Sequence, residues 1–309
     1  GIMYPNQVPT GNLKAGQVGY IVPGTKDFKD ALLGDTLVHV AHEKKTELLP
    51  GFEEPKPMVF VGAFPAEGID LKMMEDDINR LVLNDRAVTI QRETSNALGQ
   101  GWRLGFLGSL HASVFKERLE KEYGSQLIIT HPTVPYLVQF DNGVEKIIRN
   151  PDEFPNSMYK NRVRLKSLKE PYVEAIMTLP SEYLGTVIQL CNNARGEQIE
   201  LTYLDLRDEV LLKYHIPLSQ LVDDFFGKLK SSTKGFATLD YEDCGYKESD
   251  IVKLELLVNG RSLDALSQVV HKSQAERIAR EWVKKFKEYV NSQLYEVVIQ
   301  ARVNNKILA

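Results

Sequence analysis

Lys272, Arg277, Arg280, Lys284 and Lys287 lie in one stretch near the end of the chain, and the last four step by three, four and three residues. In a helix over about 272–290 that spacing gathers them on one face. Ala275, Ile278, Ala279, Trp282, Phe286 and Tyr289 then share the opposite face. A cationic face can hold nucleic-acid phosphates and release their counterions. It can also be plain solvated surface. Glu276 with Arg280, Arg277 with Glu281 and Lys284 with Glu288 stand four apart and could pair at about 0.3–0.5 kcal/mol each. The five cations are the candidate RNA-binding residues, and both readings stay open. Residues 246–309 hold 11 Lys and Arg against 8 Asp and Glu, so +3 there leaves −7 for the rest of a chain of net charge −4. Such asymmetry orients a protein on an anionic partner.

Other constellations lead away from catalysis. The histidines (His39, His42, His111, His131, His215, His271) are scattered. His39 and His42 are three apart at a strand end without carboxylate or cysteine support, so no metal site is expected. Cys191 falls on an apolar helix stripe and Cys244 in the turn-like EDCGY. Two cysteines make no disulfide framework, and a reducing compartment is expected. There is no G-x-x-x-x-G-K-[ST], G-x-S-x-G or H-E-x-x-H, so no catalytic or nucleotide-binding residue is assigned. The D-x-x-G at Asp224 to Gly227 lies in a helical stripe. Gly99, Gly101, Gly105 and Gly108 suit tight turns and close strand packing rather than a dinucleotide fold. Glu75, Asp76 and Asp77 read as a solvated helix face. Trp102 and Phe106 miss the RNP1 spacing and read as core.

The elements that must position these residues repeat one order. PMVFVGAFP (57–65) reads as a buried strand, followed by a helix with Leu71, Met74, Ile78, Leu81 and Val82 on one stripe. VTIQRET and the WRLGFLG segment are strands. A helix over about 109–123 turns Leu110, Val114 and Leu119 inward and Lys116, Glu117, Glu120 and Lys121 outward, and QLIITHP closes the unit. The order β-α-β-β-α-β is ferredoxin-like. It returns over 170–245. YVEAIMTLP is followed by Ser181 as helix cap and a stripe of Leu184, Val187, Ile188 and Cys191. Two strands, a helix on Leu221, Val222, Phe225 and Leu229, and FATLDYED complete it. Residues 133–168 read as a hairpin about Asn142-Gly143, a Pro- and Asn-rich loop and a linker. From 246 a hairpin about Asn259-Gly260, the long helix and closing strands make a third, thin module. In 1–50, VGYIVPG and GDTLVHV read as strands of a partial β-unit. The fold class is α+β.

The composition, 43% hydrophobic and 26% charged, is that of a globular protein of two or three domains. No apolar run reaches the roughly 20 residues of a membrane span, and the first residues carry no signal pattern.

LGQGWRLGFLGSLHASVFKERLEKEYG (98–124) closely resembles the signature segment of LepA, the elongation-factor-four family of translational GTPases. LKAGQVGYIVPGTKDFKDALLGDT (13–36) is similar to the end of that family's β-barrel domain II, and PGFEEPKPMVFVGAFP (50–65) to the entry of domain III. EPYVEAIMTLPSEYLGTVIQLC (170–191) and FATLDYEDCGY (236–246) resemble its elongation-factor-G-like domain V. LVNGRSLDALSQVVHKSQA (257–275) and LYEVVIQARVNNKILA (294–309) resemble its special C-terminal domain. Trp102, Ser109, Phe115 and HPTVPY (131–136) resemble the mitochondrial branch; bacterial members usually have Phe at Trp102 and Cys at Leu104.

The resemblance implies five regions: 1–50 as the end of domain II, 57–132 as ferredoxin-like domain III, 133–168 as hairpin and linker, 170–245 as ferredoxin-like domain V, and 246–309 as a truncated C-terminal domain. It implies a fragment without the GTPase domain, with no cofactor of its own, from a protein that binds GTP and Mg. It also implies a monomer that docks on ribosomal RNA and proteins and on tRNA, and moves tRNA back by a codon or otherwise supports fidelity. Its expected place is the mitochondrial matrix, peripheral to the inner membrane. The alternatives are a stand-alone RNA-binding module and a metabolic or small-molecule-sensing protein on ferredoxin-like domains.

Overall fold

The computed structural model describes residues 1–22, 24, 34–42, 46–47, 57–155, 159–160, 163–204, 208–290, 297–304 and 306–309. The chain divides into two units, Gly1–Glu54 and Pro55–Ala309.

In the first unit β1 (Ile2–Tyr4) and β2 (Asn6–Val8) form a short antiparallel hairpin. The strands expected at VGYIVPG and GDTLVHV are not formed at residues 18–22 and 35–39, and 23 and 25–33 lie outside the described residues. An alternating strand is stabilised by burying one face against neighbours, and Val18 here is 91% exposed. His39 and His42 sit about a single 3-10 turn with ring centroids 5.9 Å apart.

The second unit opens with a ferredoxin-like module. β3 (Val59–Pro65), β4 (Thr89–Ser95), β5 (Gly99–Phe106) and β6 (Leu127–Ile129) form an antiparallel sheet in the order β4-β5-β3-β6. α1 (Leu71–Leu83) and α2 (Ser109–Arg118) supply its helices. α1 starts at Asp70, whose Oδ1 accepts from the Lys72 amide at 2.6 Å, a capping bond of the usual kind. Met74, Ile78 and Leu81 pack with Val61, Trp102 and Leu104, as the helical spacing expects. Asp77 corrects the solvated-face reading of the acidic trio. It is buried and accepts from the buried Ser125 hydroxyl at 2.7 Å, while Glu75 pairs with Arg92. In α2 the inward line is Ala112, Phe115 and Leu119, and Leu110 and Val114 face out. Phe115 sets this rotation by packing its ring edge-on to Phe106 at 5.3 Å.

β7 (Tyr136–Phe140) and β8 (Glu145–Ile148) are the hairpin about Asn142-Gly143. β9 (Tyr159–Lys160) pairs with the start of β10 (Val163–Pro180). β10 is one strand of 18 residues whose first part pairs with β7, so residues 163–168 are sheet rather than linker. Residues 156–158 of the expected loop lie outside the described residues.

The second module joins β10 to β11 (Glu197–Leu204), β12 (Glu209–Pro217) and β13 (Thr238–Glu248) in the order β13-β10-β12-β11, the same order as the first. α3 (Leu184–Asn193) buries Val187 and Cys191. Burial pushes the Cys191 thiol up to about 12, the state of an inert core cysteine. Ser181 is not its cap: the hydroxyl donates to Asp208 at 2.7 Å, and α3 follows a 3-10 turn. The expected second helix is broken into α4 (Leu218–Gln220), a π turn over Leu221–Phe225, and α5 (Phe226–Ser232). The break falls at Asp223 and Asp224, where Asp224 takes φ 66°. Its carboxylate folds back onto Gly227, so the D-x-x-G is a local turn. Phe225 and Leu229 remain buried. EDCGY is not a free turn but the bulged middle of β13.

The third module is β14 (Ile251–Val258), β15 (Arg261–His271), α6 (Lys272–Tyr289), β16 (Ile299–Val303) and β17 (Lys306–Ile307), with sheet order β15-β14-β16-β17. Asn259 and Gly260 both have positive φ, as a two-residue hairpin of this twist requires. Residues 294–296 of the expected closing strand lie outside the described residues.

Candidate nucleic-acid interface

α6 forms because its cap and its apolar line agree. His271 Nδ1 accepts from the Ser273 amide at 3.3 Å and contacts the Ser273 hydroxyl at 2.7 Å. Ala275 and Ala279 are buried, and Ile278, Trp282, Val283 and Phe286 pack with them on Leu254, Leu256 and Ala301. The line continues to half-buried Val290 rather than Tyr289, which is 84% exposed and so corrects the expected face.

The five expected cations are all exposed, but they divide into two groups. Lys272 reaches Asp250 at 3.2 Å, Arg277 reaches Glu281 at 2.8 Å and Arg280 reaches Glu276 at 2.5 Å. These are the exposed pairs that contribute at most about 1 kcal/mol each. Lys284 and Lys287 have no carboxylate within 4.0 Å among the described residues, and the i,i+4 pair of Lys284 with Glu288 does not form. Lys285, which the three-four-three stepping passes over, is also exposed and holds no carboxylate among the described residues. The surface-pair reading therefore holds for Arg277 and Arg280, while the cations of the last turns stay unpaired among the described residues. Cations in the last turns also complement the negative end of the helix dipole, a structural role that needs no ligand.

Charged groups behind α6 hold its module in place. Lys253, buried, reaches Asp152 at 2.8 Å and Glu255 at 3.2 Å, and Arg302 reaches Glu255 at 2.7 Å. Asp264 accepts from the Ser95 hydroxyl at 3.0 Å and the Asn96 amide at 2.5 Å, fastening β15 to the β4–β5 turn. Burial, then the nearby Arg195 charge, holds the His271 imidazole below its usual range. The other described histidines of this unit also sit by carboxylates: His111 by Asp85 at 2.6 Å, His131 by Asp223 at 3.8 Å and His215 by Glu174 at 3.7 Å. Among the described residues no three His, Cys, Asp or Glu side chains come together as a metal would require. Nor is any helix there long and apolar enough to cross a membrane.

Among the described residues the first ferredoxin-like sheet offers no aromatic platform for base stacking. Trp102 and Phe106 are in the first core. On that sheet's other face Phe60 and Phe64 are buried, their rings lying where Cβ atoms of Gly105 and Gly101 would be.

Residues 167–257 match the family model described as elongation factor G C-terminus, and residues 258–309 match that of the GTP-binding protein LepA C-terminus. Over all 309 residues the chain is 69% identical to the protein named translation factor GUF1, mitochondrial, of Saccharomyces cerevisiae, covering 48% of that protein. It is 69% identical to the proteins of the same name in Kluyveromyces lactis, covering 49%, and Lachancea thermotolerans, covering 48%. The chain thus spans about half the length of these relatives. A solved structure from Thermus thermophilus superposes on 66% of the chain with a TM-score of 0.42 and 16% identity, covering 43% of that structure, too slight a likeness to argue from. With the LepA C-terminus following the elongation-factor-G C-terminus in one chain, and yeast translation factors matching it from end to end, this chain belongs to the LepA family of translation factors.

Proposed function

We infer that these residues are the ribosome-docking body of a translational GTPase that serves mitochondrial protein synthesis. The carrying observation is the set of exposed lysines at the end of α6, Lys284, Lys285 and Lys287, which hold no carboxylate among the described residues, on a module tied together by ion pairs of Lys253 and Arg302 with Glu255. Long-range attraction to an anionic ribosome would act on this end of an otherwise acidic chain. In this reading the lysines face ribosomal or transfer RNA, and Lys272, Arg277 and Arg280 contribute less because each already holds a carboxylate. The protein acts as a monomer in the matrix, peripheral to the inner membrane. GTP and Mg are bound by the full-length protein outside these residues, and the protein promotes synthesis or fidelity by moving tRNA back on the ribosome or by another rescue of elongation.

Two experiments test this. Calorimetry of the 309-residue chain with GTP should show no binding; micromolar affinity contradicts the reading. In full-length protein, Lys284→Glu with Lys287→Glu should weaken mitochondrial ribosome binding at least tenfold, whereas Arg277→Glu with Arg280→Glu, the same change in charge, should change it less than threefold. Equal effects of the two double variants would assign the contact to net charge alone.

A further inference from the structure

β11 is the outer edge of the second module's sheet, paired with β12 and with no other strand among the described residues. An open edge presents backbone N–H and C=O groups that another strand can take up; charged side chains, above all lysine, prolines and bulges limit this, and acidic charges such as Glu197 and Glu200 of β11 repel a like edge while admitting a cationic one. Among the described residues the other edges carry a cation or are short. β4, β8, β13 and β15 carry Arg92, Lys146, Lys247 and Arg261, and β1, β2, β6, β9 and β17 run three residues or fewer. β11, EQIELTYL, has eight residues and no Lys, Arg or Pro. A bulge follows Gln198, and from Glu200 to Leu204 the strand is regular.

Its side chains are sorted by face. Leu201 pairs across from the buried Leu212, so Leu201 and Tyr203 lie on the helix side, and Ile199 at the bulge and Tyr203 are 50% and 59% exposed. Glu197, Glu200 and Thr202 lie on the open face. There the register lines up Glu242, Glu174, His215 and Glu197 in one row and Asp240, Ile176, Lys213 and Glu200 in the next. The five carboxylates of the two rows meet two lysines, Lys213 on Glu200 at 2.8 Å and Lys247 on Glu197 at 2.5 Å, so the attraction for a cationic strand comes from the remaining charge of −3 over the two rows and not from a free carboxylate on β11 itself.

We propose that β11 takes up an extended, lysine- or arginine-bearing segment of a partner protein as an added strand. Cations of that segment lie beside Glu197 and Glu200, and its alternate apolar residues beside Ile199 and Tyr203. The same carboxylates disfavour nucleic acid. A second copy of this chain would bring its own acidic face up against this one. The proposal does not depend on the reading of α6.

The probe is a fluorescein-labelled eight-residue peptide of alternating lysine and valine, titrated with the 309-residue chain and read by anisotropy. Controls are a glutamate–valine peptide and two lysine–valine peptides N-methylated on one or the other alternate set of residues. The protein variant is Glu197→Lys with Glu200→Lys. These side chains are 60% and 46% exposed, so the fold should survive, as circular dichroism would confirm. The proposal expects the lysine peptide to bind and the glutamate peptide not. One methylated peptide should lose at least tenfold in affinity, and the variant should reverse the charge preference. It is overturned if the lysine peptide does not bind, or if both methylated peptides bind as well as the parent, which would mean ion exchange on an acidic face. It is also overturned if sedimentation finds a dimer of the unmodified chain that the variant abolishes.

Discussion

The two ferredoxin-like sheets share one strand order, yet their helix-free faces are opposites. On the first, β5 alternates Gly101, Arg103 and Gly105, and the rings of Phe64 and Phe60 occupy the space above the glycines. Arg103 reaches Glu93 at 2.6 Å beneath Asn150, and the guanidinium of Arg149 covers the Phe60 ring at 5.1 Å. On the second, the equivalent face is a solvated set of carboxylates, with Lys213 paired to Glu200 at 2.8 Å. Topology therefore does not say which face of such a sheet is used. Small residues at every second position mark a face that something lies upon, and charge at every second position marks one left to water.

The largest expected effects lie under the sheets, where the two modules should behave alike. Phe225→Ala should lower stability by about 3–5 kcal/mol in urea unfolding. Arg195→Leu should cost a similar 3–5 kcal/mol, because it strands the buried Glu170 carboxylate that Arg195 holds at 2.7 and 2.9 Å. A loss under 1 kcal/mol in either variant would show the second module less tightly built than its contacts state.

On the helix-free faces the modules should part. A Cβ at Gly101 would lie 2.5 Å from the Ala63 carbonyl oxygen and from the Phe64 ring, so Gly101→Val should cost at least about 1–3 kcal/mol. Lys213→Ala on the second sheet should stay within about 0.5 kcal/mol. Similar costs at the two sites would erase the contrast between a covered and an open face.

A smaller effect belongs to pH. The folded chain holds His271 below its usual range, so the unfolded chain takes up more protons once pH falls beneath about 6.5. Stability should be fully present above that value and decline as pH drops through the folded pKa. His271→Asn keeps a capping acceptor without a titrating ring, and its urea midpoint should depend less on pH between 7.5 and 5.5. Identical pH profiles would remove His271 from the account.

What the residues disclosed, and what they hid, follows from distance along the chain. The stripes of Met74, Ile78 and Leu81 and of Val187 and Cys191 were legible because a helix period is local. So was the Asn259-Gly260 hairpin. The burial of Asp77 was not, because its partner Ser125 is 48 residues away. The break at Asp224 was hidden inside an unbroken apolar period. Leu110 and Val114 satisfy the same period as Ala112, Phe115 and Leu119, and only the position of Phe106 chooses between them. In the candidate interface the cationic face was legible, but which cations already hold a carboxylate was not. Lys285 escaped because it lies between two members of the stripe.

In the proposed reading the lysines at the end of α6 meet RNA phosphates on the ribosome. Binding of full-length protein to mitochondrial ribosomes, measured across a salt titration, distinguishes this from a solvated helix. Each lost phosphate contact should remove about 0.7–0.9 from the slope of log affinity against log salt. Lys284→Glu with Lys287→Glu should therefore flatten the slope by about 1.4–1.8 and leave intrinsic GTP hydrolysis unchanged. Parallel lines for the variant and the parent protein would contradict the claim and leave α6 a solvated helix.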